Sequence, residues 1–395
     1  MKTMGRCIAW VVILSTAPAL TLADDLPADF ERSLFDGQSL AGWVLENDAE
    51  VDVVDGCLRL KAGNGWLRSV EQFRDFTLHV EWQALQMKEY DAGIYIRSSA
   101  EGKPFPKPSY QVNLLEGKEG NIGNIPGAAS TGLVKPQGEW NAFDITVKGG
   151  TVALRINDQP AYEVVGIKEP QGYVGFQVEV PKGGQFLIRN VRIIEHGYQS
   201  LFNGRDLTGW SGVGAPAETC WTVEDGCLVC TGEKKGPWLR SDKEYGDFHL
   251  RLDYLVSLGG NSGVYVRVPE NGNHHRQDDT EPPAGFEVQV LDDAAAQYRD
   301  LKPYQYSASV YDICGADPRV SKLAGEWNTL EILCKGQHVV TVHNGQTVVD
   351  AAVEDYPLLA LRQTSGYLGL QNHSTVVKFR NVRIGPAYDV AKPEK

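Results

Sequence analysis

Long apolar runs and helical periodicity are both scarce in this sequence of 395 residues. Beyond the first 23 residues no apolar stretch approaches the roughly 18 residues that a membrane helix needs, so membrane insertion is not expected. Stretches with apolar residues at helical spacing are hard to find, whereas glycine is abundant, at 42 residues. Many turns with few helices are typical of a chain built from short strands.

Positive charge is also in short supply. Thirty-eight Lys and Arg residues face 51 Asp and Glu residues, which gives a formal net charge of −13. Such a field repels the phosphates of nucleic acids and the headgroups of anionic membranes, so neither is expected as a partner. A neutral ligand such as a sugar is compatible with this charge.

The N-terminus has the pattern of a secretory signal. Lys2 and Arg6 precede an apolar stretch from Ile8 to Leu14, and Leu22-Ala23 before Asp24 is a suitable cleavage site. We therefore expect residues 1–23 to be removed and the protein to be periplasmic or secreted.

Cysteines offer little guidance to the fold or the chemistry. Six remain after Cys7, and their spacing matches no disulfide framework or zinc signature. Cys220 and Cys230 flank the turn at 224–226, and a three-residue loop would place them opposite one another, close enough to bridge.

The chain contains the same sequence twice. SLFDGQSLAGW from Ser33 returns as SLFNGRDLTGW from Ser200, and IRNVRI from Ile188 returns as FRNVRI from Phe379. The matched motifs run in the same order from end to end, so the repeat is a duplicated domain. We predict domains at 24–196 and 197–387, followed by a tail at 388–395.

Apolar and polar residues alternate within each copy. In DFHLRLDYLV, Phe248, Leu250 and Leu252 share one side while His249 and Arg251 share the other. Asn-Gly at 344–345 separates two apolar runs, which is a hairpin signal. The pattern predicts an all-β protein with two tandem β-sandwiches.

Period-2 counting predicts a polar face in the second copy. On NSGVYVR, GFEVQVLDD and GYLGLQNHS, the residues expected in the core are Val264, Val266, Val288 and Leu370. If these strands share a sheet with DFHLRLDY, the opposite face carries Asp253, Tyr265, Arg267, Glu287, Gln289, Gln371 and His373. Any one of these residues alone is explained by solvation of an outer face, but the set is better explained by binding or catalysis.

These motifs in this order resemble the 3-keto-disaccharide hydrolase domain family. The resemblance implies a concanavalin/laminarinase-like jelly roll with the site on its concave sheet, and action on glycosides already oxidised at C3. Carried onto this sequence, it implies an oxidised (3-keto) glycoside or other carbohydrate as partner. The residues implied for substrate binding are Asn261, Tyr265, Gln289, Asp292, Gln371 and Asp253.

The first copy has different residues at several of these positions, although the surrounding motifs are shared. Glu287 corresponds to Gln111, Gln289 to Asn113 and His373 to Glu179. Tyr95 and Arg97 persist. We therefore expect the usual site in the second copy only, and a binding, structural or altered-specificity role for the first.

A ketone at C3 makes the C2 proton acidic, so a base can form an enolate that expels the aglycone from C1, and water can then add. His373 is the first candidate for the base, because its ordinary pKa is close to neutrality. Glu287 is the second candidate, or a partner of His373, and Arg267 with Tyr265 would stabilise the oxyanion. A divalent metal ion held by His, Glu and Asp residues is an alternative way to polarise the ketone.

Two other classes remain open. A non-catalytic carbohydrate-binding β-sandwich could use aromatic platforms, although core packing explains the candidates better, which are Trp43, Trp66, Trp210 and Trp238. A conventional glycoside hydrolase of this fold would carry an E-x-D-x-x-E pattern, which is absent. The insert at 268–285, with His274, His275, Asp278 and Asp279, is best read as a polar loop that could form a wall of the cleft or bind a metal.

Overall fold

The computed structural model describes residues 29–234 and 236–390. The predicted signal, residues 1–23, and the last five residues of the predicted tail lie outside the described residues. Within these ranges no helix is long and apolar enough to cross a membrane.

The first half of the chain forms a large and a small antiparallel sheet. The large sheet has the order β11-β10-β9-β6-β13-β4-β3 with β1 on β13, and the small sheet has the order β2-β5-β12-β7-β8. The strands are β1 (Phe30–Ser33), β2 (Trp43–Asn47), β3 (Glu50–Val54), β4 (Cys57–Ala62), β5 (Asn64–Ser69), β6 (Phe76–Ala84), β7 (Gly93–Ser98), β8 (Tyr110–Asn113), β9 (Asn141–Lys148), β10 (Thr151–Ile156), β11 (Gln159–Val165), β12 (Tyr173–Glu179) and β13 (Phe186–Glu195).

The second half repeats this arrangement. Its large sheet has the order β16-β17-β26-β19-β22-β23-β24 with β14 on β26, and its small sheet has the order β15-β18-β25-β20-β21. The strands are β14 (Gln199–Ser200), β15 (Trp210–Val213), β16 (Trp221–Glu224), β17 (Cys227–Cys230), β18 (Trp238–Tyr245), β19 (Phe248–Val256), β20 (Asn261–Val268), β21 (Phe286–Leu291), β22 (Asn328–Lys335), β23 (His338–His343), β24 (Gln346–Ala351), β25 (Gly366–Leu370) and β26 (Val377–Gly385).

In residues 29–234 and 236–390, helical structure is confined to short 3₁₀ turns, at Val180–Lys182, Ala217–Thr219, Ala296–Tyr298, Pro303–Gln305 and Pro357–Leu361. No sheet of the described chain contains strands from both halves. We refer to residues 29–196 as the first domain and to 197–390 as the second. The prediction of an all-β protein made of two tandem jelly-roll sandwiches is confirmed.

Each pair of sheets encloses its own hydrophobic core. Val264, Val266, Val288 and Leu370 are almost completely buried in the core of the second domain, as their parity predicts. Strand β6 shows the expected alternation, with every second residue buried. Its counterpart β19 is buried on both faces, because the outer face of β19 lies against the first domain.

A cluster of ionised side chains lies at the contact between the domains. We call it the interdomain charge cluster: Arg32, Glu71 and Glu195 from the first domain, and Arg251, Glu331 and Arg383 from the second. Arg383 Nε lies 2.7 Å from Glu195 Oε1, and Arg251 Nη2 lies 2.9 Å from Glu71 Oε1. Three arginines and three glutamates balance, so each buried charge has a partner of opposite sign.

The predicted position of Cys220 opposite Cys230 is wrong. Cys230 is paired with Trp221, because the hairpin turns through two residues, Asp225 and Gly226. The six cysteines of the described residues are free and buried.

Candidate functional site

The small sheet of the second domain carries a polar face on three neighbouring strands. Tyr265 of β20 lies between Glu287 of β21 and Gly369 of β25. In the next row, Gly263 pairs with Gln289 and accepts a hydrogen bond from the backbone of Gln371 at 2.9 Å. Directly opposed residues in an antiparallel sheet point to the same side, so these side chains share one surface. We call this surface the second-domain face.

Glu287 is the group with the most perturbed acidity on the second-domain face. Its side chain is 4% exposed and lies across β20, over Gly263. A methyl group on Gly263 would come within 1.9 Å of Glu287 Oε1, so only glycine leaves room for this carboxyl group. Burial, together with the nearby charge of Asp312, raises the pKa of Glu287 to about 8.

Tyr265 is held in a defined orientation beside this carboxyl group. Its ring lies edge-on to Trp238, with centroids 5.2 Å apart, and stacks on His274 at 4.6 Å. The Tyr265 hydroxyl accepts a hydrogen bond from Gln371 Nε2 at 2.9 Å, which leaves its own proton free to be donated. Burial and the neighbouring Glu287 raise the pKa of Tyr265, so the phenol stays neutral.

His274 reaches the second-domain face from the insert between β20 and β21. Because the carbonyl of Gly272 can only accept, His274 Nδ1 donates to it at 3.0 Å, and in the neutral ring Nε2 carries the lone pair. Nε2 lies 3.4 Å from Glu287 Oε2. Burial lowers the pKa of His274, so around neutral pH an uncharged imidazole faces a largely protonated carboxyl group.

The rest of the insert forms a wall beside this face. His275 Nδ1 lies 2.8 Å from Asp312 Oδ2, which ties the insert to the loop between β21 and β22. The wall borders an open cavity of about 460 Å³ lined by Asn271, Gly272, Asn273, His274, His275, Glu281 and Pro282. In the described part of the chain no three His, Cys, Asp or Glu side chains cluster as metal ligands would. The described residues therefore do not fit the divalent ion considered from the sequence.

The prediction that Arg267 shares a face with Tyr265 is wrong. A bulge shifts the register between Tyr265 and Val268, and Arg267 has a φ of 51°. This extra residue reverses the parity of the strand end. The guanidinium is 1% exposed and donates to the carbonyls of Gly246 and Gly336 and to Asp247 Oδ1.

Arg97 makes the corresponding contacts in the first domain and one more, to a third carbonyl. It has a φ of 40° and donates to the carbonyls of Arg74, Gly149 and Glu169 and to Asp75 Oδ1. The arginine therefore recurs in both copies because it ties a strand end to two loops.

Asp253 is also wrongly placed by the sequence prediction, whereas the substrate-binding role predicted for Asp292 stays a prediction. Asp253 lies in β19 of the large sheet, where its Oδ2 accepts from Arg380 and Asn381. Asp292 is 2% exposed, and its Oδ2 accepts the backbone N–H of Gly259 at 2.8 Å. One carboxylate belongs to the opposite sheet, and the other closes the turn before β20.

The remaining predicted residues lie near the edge of the second-domain face or on it. Asn261 begins β20, where its backbone exchanges two hydrogen bonds with the Thr375 hydroxyl. Gln289 is 5% exposed, and its Oε1 accepts from the backbone of Val290, which leaves its amide nitrogen available. His373 is exposed in the loop after β25, and its ring makes no hydrogen bond with the described residues.

A family model describing a 3-keto-α-glucoside-1,2-lyase-like domain matches the chain twice, at 31–194 and 197–385. The chain belongs to this family. A 3-keto-disaccharide hydrolase of Bacteroides thetaiotaomicron is 29% identical over 227 residues, which cover 48% of this chain and 78% of that protein. Two crystal structures of Parabacteroides distasonis proteins are 25% and 28% identical, with TM-scores of 0.41 and 0.40. They cover 49% and 48% of this chain, and 95% and 98% of their own.

The first domain has the same arrangement of strands, but on the surface that corresponds to the second-domain face the polar side chains are hydrogen-bonded to one another. Gln111 lies over Gly93 as Glu287 lies over Gly263, and it donates to Gln177 Oε1. Gln177 in turn donates to Glu179 Oε2 at 2.8 Å, and Lys182 Nζ lies 2.8 Å from Glu179 Oε1. These amide and carboxylate groups are thus hydrogen-bonded to each other.

An aromatic ring covers the tyrosine of this first-domain face. The centroids of the Phe105 and Tyr95 rings lie 6.5 Å apart, and Trp66 lies edge-on to Tyr95 with centroids 5.5 Å apart. Trp66 is completely buried and Tyr95 is 3% exposed. Phe105 comes from the β7–β8 connection, just as His274 comes from the β20–β21 insert.

Sequence reasoning missed Asp312 and Arg362, which lie against the insert. His274 was named from the sequence only as part of a polar loop that could form a wall of the cleft or bind a metal. Arg362 is 5% exposed, and its Nε and Nη2 have no hydrogen-bond partner among the described residues. The one available signal was the histidine pair, because the first copy has no histidine in its corresponding loop.

Proposed function

We propose that the second domain cleaves a glycoside whose sugar has already been oxidised to a ketone at C3, and that it does so on the second-domain face. The observation that carries this proposal is Glu287, a buried carboxyl group without a hydrogen-bond partner among the described residues and with a pKa raised to about 8. The family description and the name of the Bacteroides relative support the substrate class.

Proton abstraction at C2 is the step that needs such a group. Ionised Glu287 takes the C2 proton, and the electron pair of that bond forms an enolate whose charge rests on O3. A base with a pKa close to the working pH is the most effective for this transfer. Tyr265 donates its free hydroxyl proton as a hydrogen bond to O3, while Gln371 fixes its orientation.

Departure of the aglycone follows from the enolate. The C1–O bond breaks, the leaving oxygen takes up a proton, and a double bond forms between C1 and C2. Addition of water across that bond gives net hydrolysis, whereas release of the unsaturated sugar gives net elimination. The Glu287 proton is thereby passed to the leaving group or to solvent, and the carboxylate is restored.

Glu287 replaces His373 as our candidate base because of position. Glu287 lies in the middle of the face beside Tyr265, whereas His373 is an exposed loop residue. His274 Nε2, 3.4 Å from Glu287 Oε2, places an uncharged imidazole beside the carboxyl group that receives the proton.

The first domain has no equivalent of this base. Gln111 cannot ionise, and Glu179 is occupied by Gln177 and Lys182. We propose that the first domain has a binding or structural role. We also propose, from residues 1–23, that the protein works in the periplasm or outside the cell.

The test is release of the aglycone from a 3-keto glucoside and from its unoxidised parent, with and without a chelator. We expect turnover of the oxidised glycoside only, lowered by about 10²–10⁴ in Glu287→Gln and kept in Glu179→Gln. Cleavage of the parent would indicate a conventional glycoside hydrolase. Binding of the oxidised sugar without release would indicate a carbohydrate-binding protein.

A further inference from the structure

A cleft of about 580 Å³ lies between the two domains, away from the second-domain face. We call it the interdomain cleft. The second domain contributes Asp253, Lys322, Glu326, Trp327, Thr329, Arg380 and Asn381, and the first contributes Arg32, Ser33, Asp36, Trp43, Ser69, Glu71 and Phe73. This volume is within the range of small-molecule sites.

Asp253 and Thr329, in its wall, each have a polar atom without a hydrogen-bond partner among the described residues, and so does Arg32, whose Nε lies 3.5 Å from Glu195 Oε1. Asp253 is 4% exposed, and while its Oδ2 accepts from Arg380 Nε at 3.1 Å and Asn381 Nδ2 at 2.7 Å, its Oδ1 accepts from neither. The hydroxyl of Thr329 is likewise unpartnered. The two residues are directly opposed on β19 and β22, so their side chains are neighbours. Leaving such atoms unpaired is costly, which points to a ligand.

The first domain shows that the fold does not require an unpaired carboxylate oxygen and hydroxyl at these positions. There Glu81 stands at the position of Asp253, and each of its oxygens is used: Oε2 by Arg189 Nε at 2.7 Å and Oε1 by Asn190 Nδ2 at 2.6 Å. Ala142, which pairs with Glu81, stands at the position of Thr329. The free acceptor and the hydroxyl occur only in the copy that the other domain covers.

An aromatic ring completes the site. The guanidinium of Arg380 lies 3.9 Å from the centroid of the Trp327 ring, which fixes the indole in place beside Asp253. Trp43 and Phe73 line the cleft from the first domain. The lining contains both cationic side chains and carboxylates, so the cleft favours a ligand that has no net charge. We propose that the interdomain cleft binds a neutral mono- or disaccharide, with a pair of hydroxyls on Asp253 and Thr329 and an apolar sugar face on Trp327.

The experiment is calorimetric titration of the full chain with maltose, sucrose and cellobiose, which carry no 3-keto group. At least one should bind, and Trp327→Ala and Asp253→Glu should each weaken it about tenfold or more, the scale of a lost hydrogen bond to a charged group. Asp253→Glu recreates the first-domain arrangement, so it removes the free acceptor and keeps the fold. The matched first-domain variants Trp140→Ala and Glu81→Asp should leave the Kd within about twofold.

This result is independent of the proposed reaction. Tyr265→Phe, on the second-domain face, should not change the binding of these disaccharides. The proposal is overturned if none of the three binds, if both cleft variants bind as well as the parent protein, or if Tyr265→Phe alone removes binding. An unchanged melting temperature of Asp253→Glu separates loss of the site from loss of the fold.

Discussion

The side chain of Glu287 has its carboxyl group in an environment that stabilises the protonated form, and its role in catalysis needs the ionised form. With a pKa of about 8, the ionised fraction rises as the pH increases through that value. We therefore expect kcat/KM on a 3-keto glucoside to increase with pH up to about 8 and then to level off. Glu287→Gln should lower turnover by about 10²–10⁴, the usual contribution of a general base, and should remove this pH dependence.

The control for this prediction is His373→Ala, which alters an exposed residue of the loop after β25. Its pH profile should match that of the unaltered protein. If His373→Ala abolished turnover while Glu287→Gln retained both rate and profile, His373 would be the base and Glu287 would not.

The same raised pKa has a consequence for stability. An unfolded glutamate ionises near its ordinary pKa, whereas folded Glu287 holds its proton up to about 8. Between these values unfolding releases a proton, so this residue makes the folded state progressively less stable as the pH rises. Glu287→Gln should therefore increase the free energy of unfolding at pH 8 relative to pH 5, as measured by urea denaturation. An equal change at both pH values would contradict the assignment.

Arg267 contributes to the stability of the fold rather than to catalysis. Its guanidinium serves the carbonyls of Gly246 and Gly336 and the carboxylate of Asp247, a planar set of contacts that an ammonium group cannot reproduce. Arg267→Lys should lower the free energy of unfolding by about 1–3 kcal/mol while the folded fraction keeps its turnover. Arg97→Lys, its counterpart in the first domain, should cost a similar amount. A large loss of kcat with an unchanged free energy of unfolding would show that Arg267 takes part in catalysis.

At the scale of the strands, Gly263 controls where the Glu287 carboxyl group lies. A methyl group at Gly263 would displace Glu287 Oε1, which is the end of a flexible side chain and can move without unfolding the sheet. We expect Gly263→Ala to reduce turnover by at least about tenfold with a small change in melting temperature. Gly93→Ala displaces Gln111 in the first domain in the same way and should leave turnover unchanged. Equal losses from the two variants would show that the effect is not local to Glu287.

The strand pattern also decides what could be predicted from the sequence. Alternation correctly assigned the core side of β20, β21 and β25, and the repeat predicted two sandwiches. It failed at Arg267, because a bulge of one residue is invisible to a period of two. It also failed at Asp253, since parity gives the face of a strand but not the sheet in which the strand lies. The contact of His274 with Glu287 was not predicted, because no periodicity governs a loop.

At the scale of the whole molecule, the interdomain charge cluster explains why the polar residues at alternate positions of β19 are buried rather than exposed to solvent. Arg251 contacts Glu71, Glu195 and Glu331, two of them from the other domain. Burial raises the pKa of Glu71, but the positive charges of Arg32, Arg251 and Arg383 outweigh it, and the net pKa lies well below the ordinary value. The pKa of Glu331 is also lowered, because Arg251 and His249 outweigh its burial. Breaking a buried ion pair on one side leaves uncompensated charge, which costs about 3–5 kcal/mol.

Arg251→Met should therefore separate the unfolding of the two domains. At pH 7 we expect the free energy of unfolding to fall by about 3–5 kcal/mol, because Glu71, Glu195 and Glu331 lose their shared partner.

The lowered pKa values of Glu71 and Glu331 mean that the cluster stabilises the protein above their ordinary pKa, near 4.5, and that this contribution is lost as the pH falls below it. The difference between Arg251→Met and the unaltered protein should then shrink at pH 3 in denaturant titrations. His79→Met is the matched control, because His79 occupies the same position on β6 and its partners, Asp144 and Glu81, lie within its own domain. A pH-independent difference, or an equal loss in His79→Met, would show that packing rather than the charge cluster joins the domains. Since the interdomain cleft is lined by residues of both domains, including Arg32 and Glu71, Arg251→Met should weaken disaccharide binding there without removing turnover at the second-domain face.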